Sequence, residues 1–171
     1  MINWTGLDGG EFVLTVSGYE FPATPDGYDA NWLITGVSVS SKRSSWTASS
    51  PCILSWNLLS LTYWLADLEA GDAESWCSPE TDLLLTSLGW SRGRAVVAIA
   101  LSNSLSDPAA HDQEGPARDI VVVAPSAVEI AAARVDVERT AELFQPRGEQ
   151  GRRGVDAMQN GRARKLASRP R

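Results

Sequence analysis

Histidine and cysteine, the side chains that most often serve as catalytic bases, nucleophiles or metal ligands, are scarce in this chain. The single histidine, His111, lies in a long polar loop that contains two prolines. Nucleophilic and acid–base catalysis need a nucleophile, a base and a group that orients the base, so we interpret His111 as a loop residue without a catalytic role. Cys52 and Cys77 are separated by 24 residues, which matches no zinc-ligand spacing. We expect both thiols to be reduced and buried in the core.

Motifs that bind a nucleotide, a cofactor or a calcium ion are also missing from the sequence. Neither the P-loop pattern nor the GxGxxG pattern occurs, and the segment 26–29 lacks the remaining ligands of a calcium loop. The basic turn 92–94 is more simply the tip of a hairpin than a phosphate site. An enzyme that uses carboxylates such as Asp29 and Glu80 is the least favoured class. We expect no catalytic residue, no cofactor and no metal ion.

Acidic side chains are concentrated in the predicted loops. Asp26 and Asp29 precede the second strand, and Asp107, Asp112 and Glu114 lie in the long loop. The densest cluster follows the first predicted helix and surrounds Trp76, whose indole is a candidate aromatic anchor for a partner. Such a cluster is either a solvated face or a surface that captures a basic partner, because opposite charges accelerate association. The candidate partner-binding residues are Glu69, Asp72, Glu74, Trp76, Glu80 and Asp82.

Charge is distributed unevenly along the chain. The 171 residues carry a net charge of −6, but residues 147–171 contain eight basic and two acidic side chains. The remaining 146 residues therefore carry −12. An acidic body of this kind repels nucleic acid and attracts a basic partner.

Hydrophobic periodicity predicts strands and one helix in the first half. Apolar and polar residues alternate over 11–21 and 32–40, and a short third strand begins at 46–48. The period then changes to that of a helix over 55–70, in which Leu58, Leu61, Leu65 and Leu68 share one face. Ser55 is the expected N-cap of this helix, and Gly71 is the expected C-terminal stop.

The second half repeats the succession of strands and a helix. Strands are predicted over 82–88 and 94–102 with a hairpin turn between them, and the apolar run 120–124 is typical of a strand buried on both faces. Ser126 and Glu129 form a capping box that opens a helix through about residue 144. These elements predict an α+β fold, in which an antiparallel β-sheet of about six strands has two helices packed on one face.

Composition changes abruptly after Pro146. The remaining residues are rich in Arg and Gly and show no apolar period. We therefore expect a single α+β domain over 1–147 and a basic, disordered tail over 148–171, which is either a real basic arm or the product of read-through or an altered reading frame. The N-terminus shows no signal peptide, and the apolar runs are too short to span a bilayer. We expect the protein to act in the cytoplasm.

Short motifs follow one another in a distinctive order. They are GYEFP at 18–22, YDANWL at 28–33, Trp46, PC at 51–52, a helix containing WL at 64–65, and a closing strand and helix between 120 and 144. Over roughly residues 10–147 this order resembles the WapI family of bacterial immunity proteins, with YDANWL as the most specific motif. We expect Asp29 and Asn31 to bond nearby backbone amides and Trp32 to fill the core.

The resemblance implies a protein that protects the producing bacterium by binding the toxic C-terminal domain of a wall-associated polymorphic toxin. It implies that toxin domain as the partner and no catalysis, but it provides no interface residues to transfer to this chain. Neither a membrane nor, for the acidic body, a nucleic acid is an expected partner. The alternative is a non-enzymatic structural or regulatory interaction domain with an unknown partner. A large secreted toxin encoded immediately upstream would favour immunity.

Overall fold

Alternating apolar residues give the first half of the chain four strands and a helix. A computed structural model describes residues 1–7, 9–42, 44–110 and 118–168. The strands pair antiparallel in the order of the sequence and form one sheet. Their bounds are β1 (Ile2–Thr5), β2 (Glu11–Tyr19), β3 (Trp32–Ser40) and β4 (Ser45–Leu54), and helix α1 (Asn57–Ala70) follows.

The second half repeats this order. Four more antiparallel strands form a second sheet, again in the order of the sequence, and a helix follows. Their bounds are β5 (Ser75–Cys77), β6 (Leu83–Ser91), β7 (Arg94–Ser102), β8 (Arg118–Val123) and α2 (Ala127–Leu143). The two sheets meet where the Ala124 amide donates to the Thr5 carbonyl at 3.1 Å and the Leu7 amide donates to the Val122 carbonyl at 3.2 Å. None of the described helices is long and apolar enough to span a bilayer.

Helices α1 and α2 each bury one apolar face in a single core. The four leucines on the predicted face of α1 are fully buried, as are Ile130 and Val137 of α2. The same cluster includes alternate residues of both sheets, such as Phe12 of β2 and Val97 of β7. The indole of Trp4 lies 6.5 Å from that of Trp64, ring centroid to ring centroid. Side chains of α1 and α2 therefore join the two sheets through a shared core.

The prediction of an α+β fold is confirmed, but the predicted arrangement is wrong in its details. The described residues form two four-stranded sheets and three helices instead of one six-stranded sheet with two helices. Strands β1 and β5 have four and three residues, which is too short to show a period of two. Strand β4 continues past Pro51, where its register with β3 shifts, so a proline and several serines conceal a long strand.

The ends of the helices follow local signals. Gly71 has a φ of +82° and ends α1 as predicted. The capping box of α2 is confirmed, since the Ser126 hydroxyl accepts from the Glu129 amide while the Glu129 carboxylate accepts from the Ser126 amide. Helix α1 begins at Asn57, two residues after the predicted N-cap, because the Ser55 hydroxyl donates to the Asn31 side chain instead.

Strand β8 and the C-terminal segment also differ from the predictions. Ile120 is 65% exposed, so β8 is not buried on both faces, although it is the last strand of its sheet and lies at the junction with the first sheet. Residues 148–167, predicted to be disordered, form helix α3 (Gly148–Ala167). This helix is ordered because apolar side chains and an ion pair hold it on the body. His111, Asp112 and Glu114 lie outside the described residues.

Candidate partner-binding surface

Three of the predicted acids lie together where α1 gives way to the second sheet. Glu69 is in the last turn of α1, Asp72 follows the terminal Gly71, and Glu74 precedes β5; all three are exposed. The Glu69 carboxylate lies 3.5 Å from the Arg134 guanidinium of α2, with both side chains more than 30% exposed. An exposed pair of this kind contributes little to stability, so Glu69 remains available to a partner.

Trp76 and Asp82 do not belong to this exposed group. Trp76 is the inward-facing residue of β5 and is 6% exposed, with its indole N–H donating to the Ser60 hydroxyl at 2.8 Å. The Asp82 carboxylate is buried and accepts from the Asn103 side chain at 2.6 Å. The expectation of an aromatic anchor surrounded by exposed acids is therefore wrong for this conformation, because Trp76 and Asp82 are both buried.

Glu80 lies apart from the other acids, at the opposite end of β5. Its negative charge, like that of Asp29, acts on the Tyr28 hydroxyl. Burial raises the pKa of the Tyr28 hydroxyl above its ordinary value, and the negative charges of Glu80 and Asp29 raise it further. The predicted cluster is therefore two separate acidic patches, one around Glu69 and one around Glu80.

An exposed aromatic residue does lie beside the larger patch, but it is Trp90. Trp90 is 39% exposed, and its indole N–H donates to the Leu68 carbonyl at 3.2 Å, so the ring covers the C-terminus of α1. On the same hairpin Leu88 is 59% exposed. The Ser87 amide donates to the Glu74 carbonyl at 2.8 Å, which brings this hairpin against the acidic loop. We call this patch the acidic–aromatic surface; it consists of Glu69, Asp72, Glu74, Leu88 and Trp90.

The local sequence around Trp90 predicts that its side chain is exposed, although no acidic residue marks this position. Trp90 lies between Gly89 and Gly93, close to the tip of the β6–β7 hairpin, where a large aromatic residue cannot reach the core. The tip is a two-residue turn of Arg92 and Gly93, with φ values of +51° and +75°. Positive φ at both positions is typical of the type I′ turns that close hairpins.

The YDANWL motif works mainly through Asn31, which is fully buried. Its side-chain amide donates to the Gly27 carbonyl at 2.9 Å and to the Arg147 carbonyl at 3.2 Å. Its side-chain oxygen accepts from the Ser55 hydroxyl at 2.9 Å and from the Arg147 amide at 2.7 Å. One side chain therefore holds together the loop before β3, the start of α1 and the end of the body.

The other two residues of the motif behave differently from each other. Trp32 is buried, but in a small cluster outside the main core that it was expected to fill, and the Tyr28 ring packs edge-on against it with the centroids 5.8 Å apart. Asp29 is exposed, and its carboxylate has no hydrogen-bond partner among the described residues. The expectation that Asp29 bonds nearby backbone amides is therefore wrong, since the motif's polar contacts come from Asn31.

The two thiols lie in contrasting environments. Cys52 is buried, and burial raises the pKa of its thiol to about 12, which keeps it protonated and unreactive. Cys77 is exposed, contrary to expectation, because it is an outward-facing residue of β5. Both thiols are free. Among the described residues, no group of three or more His, Cys, Asp or Glu side chains is placed to hold a metal ion.

Comparison with known families identifies the body of this fold. The family model described as immunity protein WapI-like family matches residues 1–144. The chain belongs to the WapI-like immunity protein family. The match spans both four-stranded sheets and both core helices and ends at the C-terminus of α2. No curated protein and no solved structure matches the chain significantly.

Helix α3 lies outside the matched residues and covers a groove on the body of this WapI-like immunity protein. At one end of the groove, Trp32, Leu54 and Trp56 form a small apolar cluster separate from the main core. Val155 and Met158 of α3 pack against this cluster. The two indoles therefore owe part of their burial to α3.

The other end of the groove is acidic. Asp67, on α1, is 3% exposed and accepts hydrogen bonds from Arg162 at 2.6 Å and from Lys165 at 2.9 Å. Burial raises the pKa of the Asp67 carboxyl, but these two cations outweigh the effect and hold the pKa below its ordinary value. The Arg162 guanidinium also lies 5.3 Å from the centroid of the Tyr63 ring. We call this site the α3 groove; it consists of Trp32, Leu54, Trp56, Tyr63 and Asp67.

A rigid junction fixes the start of α3. The Arg147 guanidinium lies 3.4 Å above the centroid of the Tyr19 ring and donates to the carbonyls of Phe21, Pro22 and Thr24. The Arg147 backbone is held by Asn31. The chain is therefore anchored to the body at residue 147, immediately before α3 begins.

Proposed function

We propose that this chain is a cytoplasmic immunity protein that binds the toxic C-terminal domain of its cognate polymorphic toxin and occludes it without catalysis. Membership of the WapI-like immunity family is the observation that carries the proposal. The net charge of −12 on residues 1–146 favours a basic partner. In this proposal the acidic–aromatic surface makes the first contact, with acids for capture and two exposed apolar side chains for retention.

The chemistry of that surface suits both stages of binding. Exposed carboxylates accelerate encounter with a basic domain, because an attractive field raises the association rate by orders of magnitude at low salt. Aromatic side chains that become desolvated on binding act later, by slowing dissociation. Leu88 and Trp90 already present apolar area to solvent, so a partner that covers them gains hydrophobic stabilisation without rearranging the core.

The first test looks for a large secreted toxin encoded immediately upstream and uses its C-terminal domain. Co-expression with this chain is expected to restore growth, and the two proteins are expected to purify together. A toxin domain that kills equally well with and without the chain would contradict immunity. If the domain binds but the cells still die, the chain is an interaction partner without neutralising activity, and the proposal fails.

Charge reversal tests the acidic–aromatic surface itself. Glu69→Lys with Asp72→Lys is expected to slow association about tenfold and to flatten its dependence on salt between about 50 and 500 mM, while the melting temperature stays unchanged. The matched control, Glu11→Lys with Glu142→Lys, makes the same change in net charge at exposed positions outside this surface. If both double variants slow association equally, the association rate depends only on the net charge of the protein and not on the acidic–aromatic surface.

Trp90→Ala tests retention and is expected to raise the dissociation rate at least tenfold. Because Trp90 also hydrogen-bonds the end of α1, Trp90→Phe is the companion variant, which keeps an aromatic ring but loses the indole donor. Retention that survives in Trp90→Phe but not in Trp90→Ala assigns the effect to the ring. Wild-type dissociation in both variants would remove Trp90 from the interface.

A further inference from the structure

Helix α3 is a poor helix by its own sequence. Four of its residues are glycine, at positions 148, 151, 154 and 161. Each interior glycine lowers the equilibrium constant for forming an isolated helix about fourfold relative to alanine. Residues 148–167 are therefore helical because they are docked, and they lose their helical structure when they leave the groove.

The fit between α3 and the groove is close at one end and incomplete at the other. A Cβ atom at Gly154 would lie 2.6 Å from Cγ of Trp56, so this position of α3 needs glycine in order to pack against the groove. A Cβ at Gly161 would meet nothing within 4 Å. Around Gly161 an open cavity of about 250 Å³ lies between α1, β5 and α3. Larger side chains on another helix would fill it.

The α3 groove favours a helical ligand that presents apolar residues and a cation on one face. Its contacts with α3 recur at residues 155, 158 and 162, the spacing of one face of a helix. The first two are apolar, and the third brings a cation to Asp67, whose burial makes an unpaired charge costly. Such a ligand is a basic amphipathic helix.

The groove is also continuous with the surface already assigned to the toxin. Ser75 and Trp76 line the cavity under α3, and Glu74, the next residue along the chain, belongs to the acidic–aromatic surface. All five residues of the α3 groove lie within the stretch 1–144 that matches the family, whereas α3 does not. The body therefore carries the binding site, and α3 is an addition that covers it.

We propose that the α3 groove binds a basic amphipathic helix of the toxin domain and that α3 occupies the groove in the free protein as an intramolecular competitor. The inference rests on the proposed function and names the partner element. A toxin helix without the glycines of α3, and with larger side chains facing the cavity, displaces α3. The affinity for toxin then depends on the fraction of molecules whose groove is open.

The test measures toxin binding to full-length variants that loosen or tighten α3. Arg162→Gln with Lys165→Gln removes both cations from Asp67 and is expected to raise toxin affinity at least tenfold. Arg152→Gln with Arg164→Gln is the control for net charge, because these exposed side chains lie on α3 and are not partners of Asp67. Gly161→Ala stabilises the docked helix without a clash and is expected to lower affinity about fourfold. Hydrogen exchange over residues 148–167 reports whether α3 is docked in each variant.

Each alternative outcome overturns the inference in a recognisable way. If hydrogen exchange in α3 changes but all variants bind the toxin with equal affinity, the toxin binds elsewhere on the protein. That outcome refutes this inference and does not affect the proposed function. A loss of affinity when α3 is loosened makes α3 part of the interface. Sedimentation of the loosened variant as a dimer assigns the groove to α3 of a second copy. Failure of every variant and of the wild type to bind removes the proposed function itself.

Discussion

Replacing Asn31 with alanine removes the side chain that joins three separated segments of the body. Its four hydrogen bonds link the chain to Gly27, Ser55 and Arg147. At about 1 kcal/mol net for each bond the loss is about 4 kcal/mol, and water entering the vacated space recovers part of it, so about 3 kcal/mol is expected. For a chain of this size that corresponds to a fall in melting temperature of about 6 to 12 °C.

Chemical denaturation followed by circular dichroism measures this loss, with Asp29→Ala as the matched control. Asp29 is two residues away in the same motif, but it is exposed and its carboxylate has no described partner, so its replacement is expected to cost less than about 0.5 kcal/mol. The reasoning fails if Asn31→Ala melts like the wild type, or if Asp29→Ala is the more damaging change.

Three further predictions concern the core, the second helix and the groove. Leu61→Ala and Leu65→Ala are each expected to destabilise the fold by about 2 to 5 kcal/mol in urea unfolding, because both side chains are fully buried; a cost below about 0.5 kcal/mol at both would refute the core assignment. Ser126→Ala is expected to cost about 1 kcal/mol through the lost cap of α2, against no change for the exposed Val128→Ala. The pKa of the Asp67 carboxyl is lowered when α3 is docked, so the ionised carboxylate stabilises docking above about pH 4, the ordinary carboxyl range. This stabilisation is lost as the pH falls through the lower pKa of the docked state. The protection of the α3 amides, taken relative to the intrinsic exchange rate at each pH, is therefore expected to fall at acid pH in the wild type and to change much less with pH in Asp67→Asn.

Local signals explain which elements could be predicted from the sequence. Helices α1 and α2 have leucine or alanine stripes and well-defined ends, since Gly71 adopts the left-handed conformation and Ser126 bonds to Glu129. Strands β2, β3 and β7 alternate over nine residues each. Strands β1 and β5 are too short for a period to emerge, so the division into two sheets was not predictable from patterning.

The errors at the candidate site have a common physical origin. Trp76 lies among acids in the sequence, but the alternation of a three-residue strand turns it inward. Helix α3 was missed because its glycines disfavour a helix, and its order comes from Trp56 and Asp67, about 100 residues away in the chain. Local sequence carries no signal for contacts at that distance. The choice of Asn31 over Asp29 likewise depends on Arg147, at the far end of the body.

Titration of toxin activity with purified protein tests the central claim most directly. The C-terminal domain of a toxin found to be encoded beside this chain is held at a concentration well above the dissociation constant and mixed with increasing amounts of the chain, and its remaining activity is measured. Occlusion by binding predicts a linear fall that reaches zero at about one molar equivalent. Full inactivation by a small fraction of an equivalent would show that the chain acts catalytically, and undiminished activity at several equivalents would show that it does not neutralise this toxin.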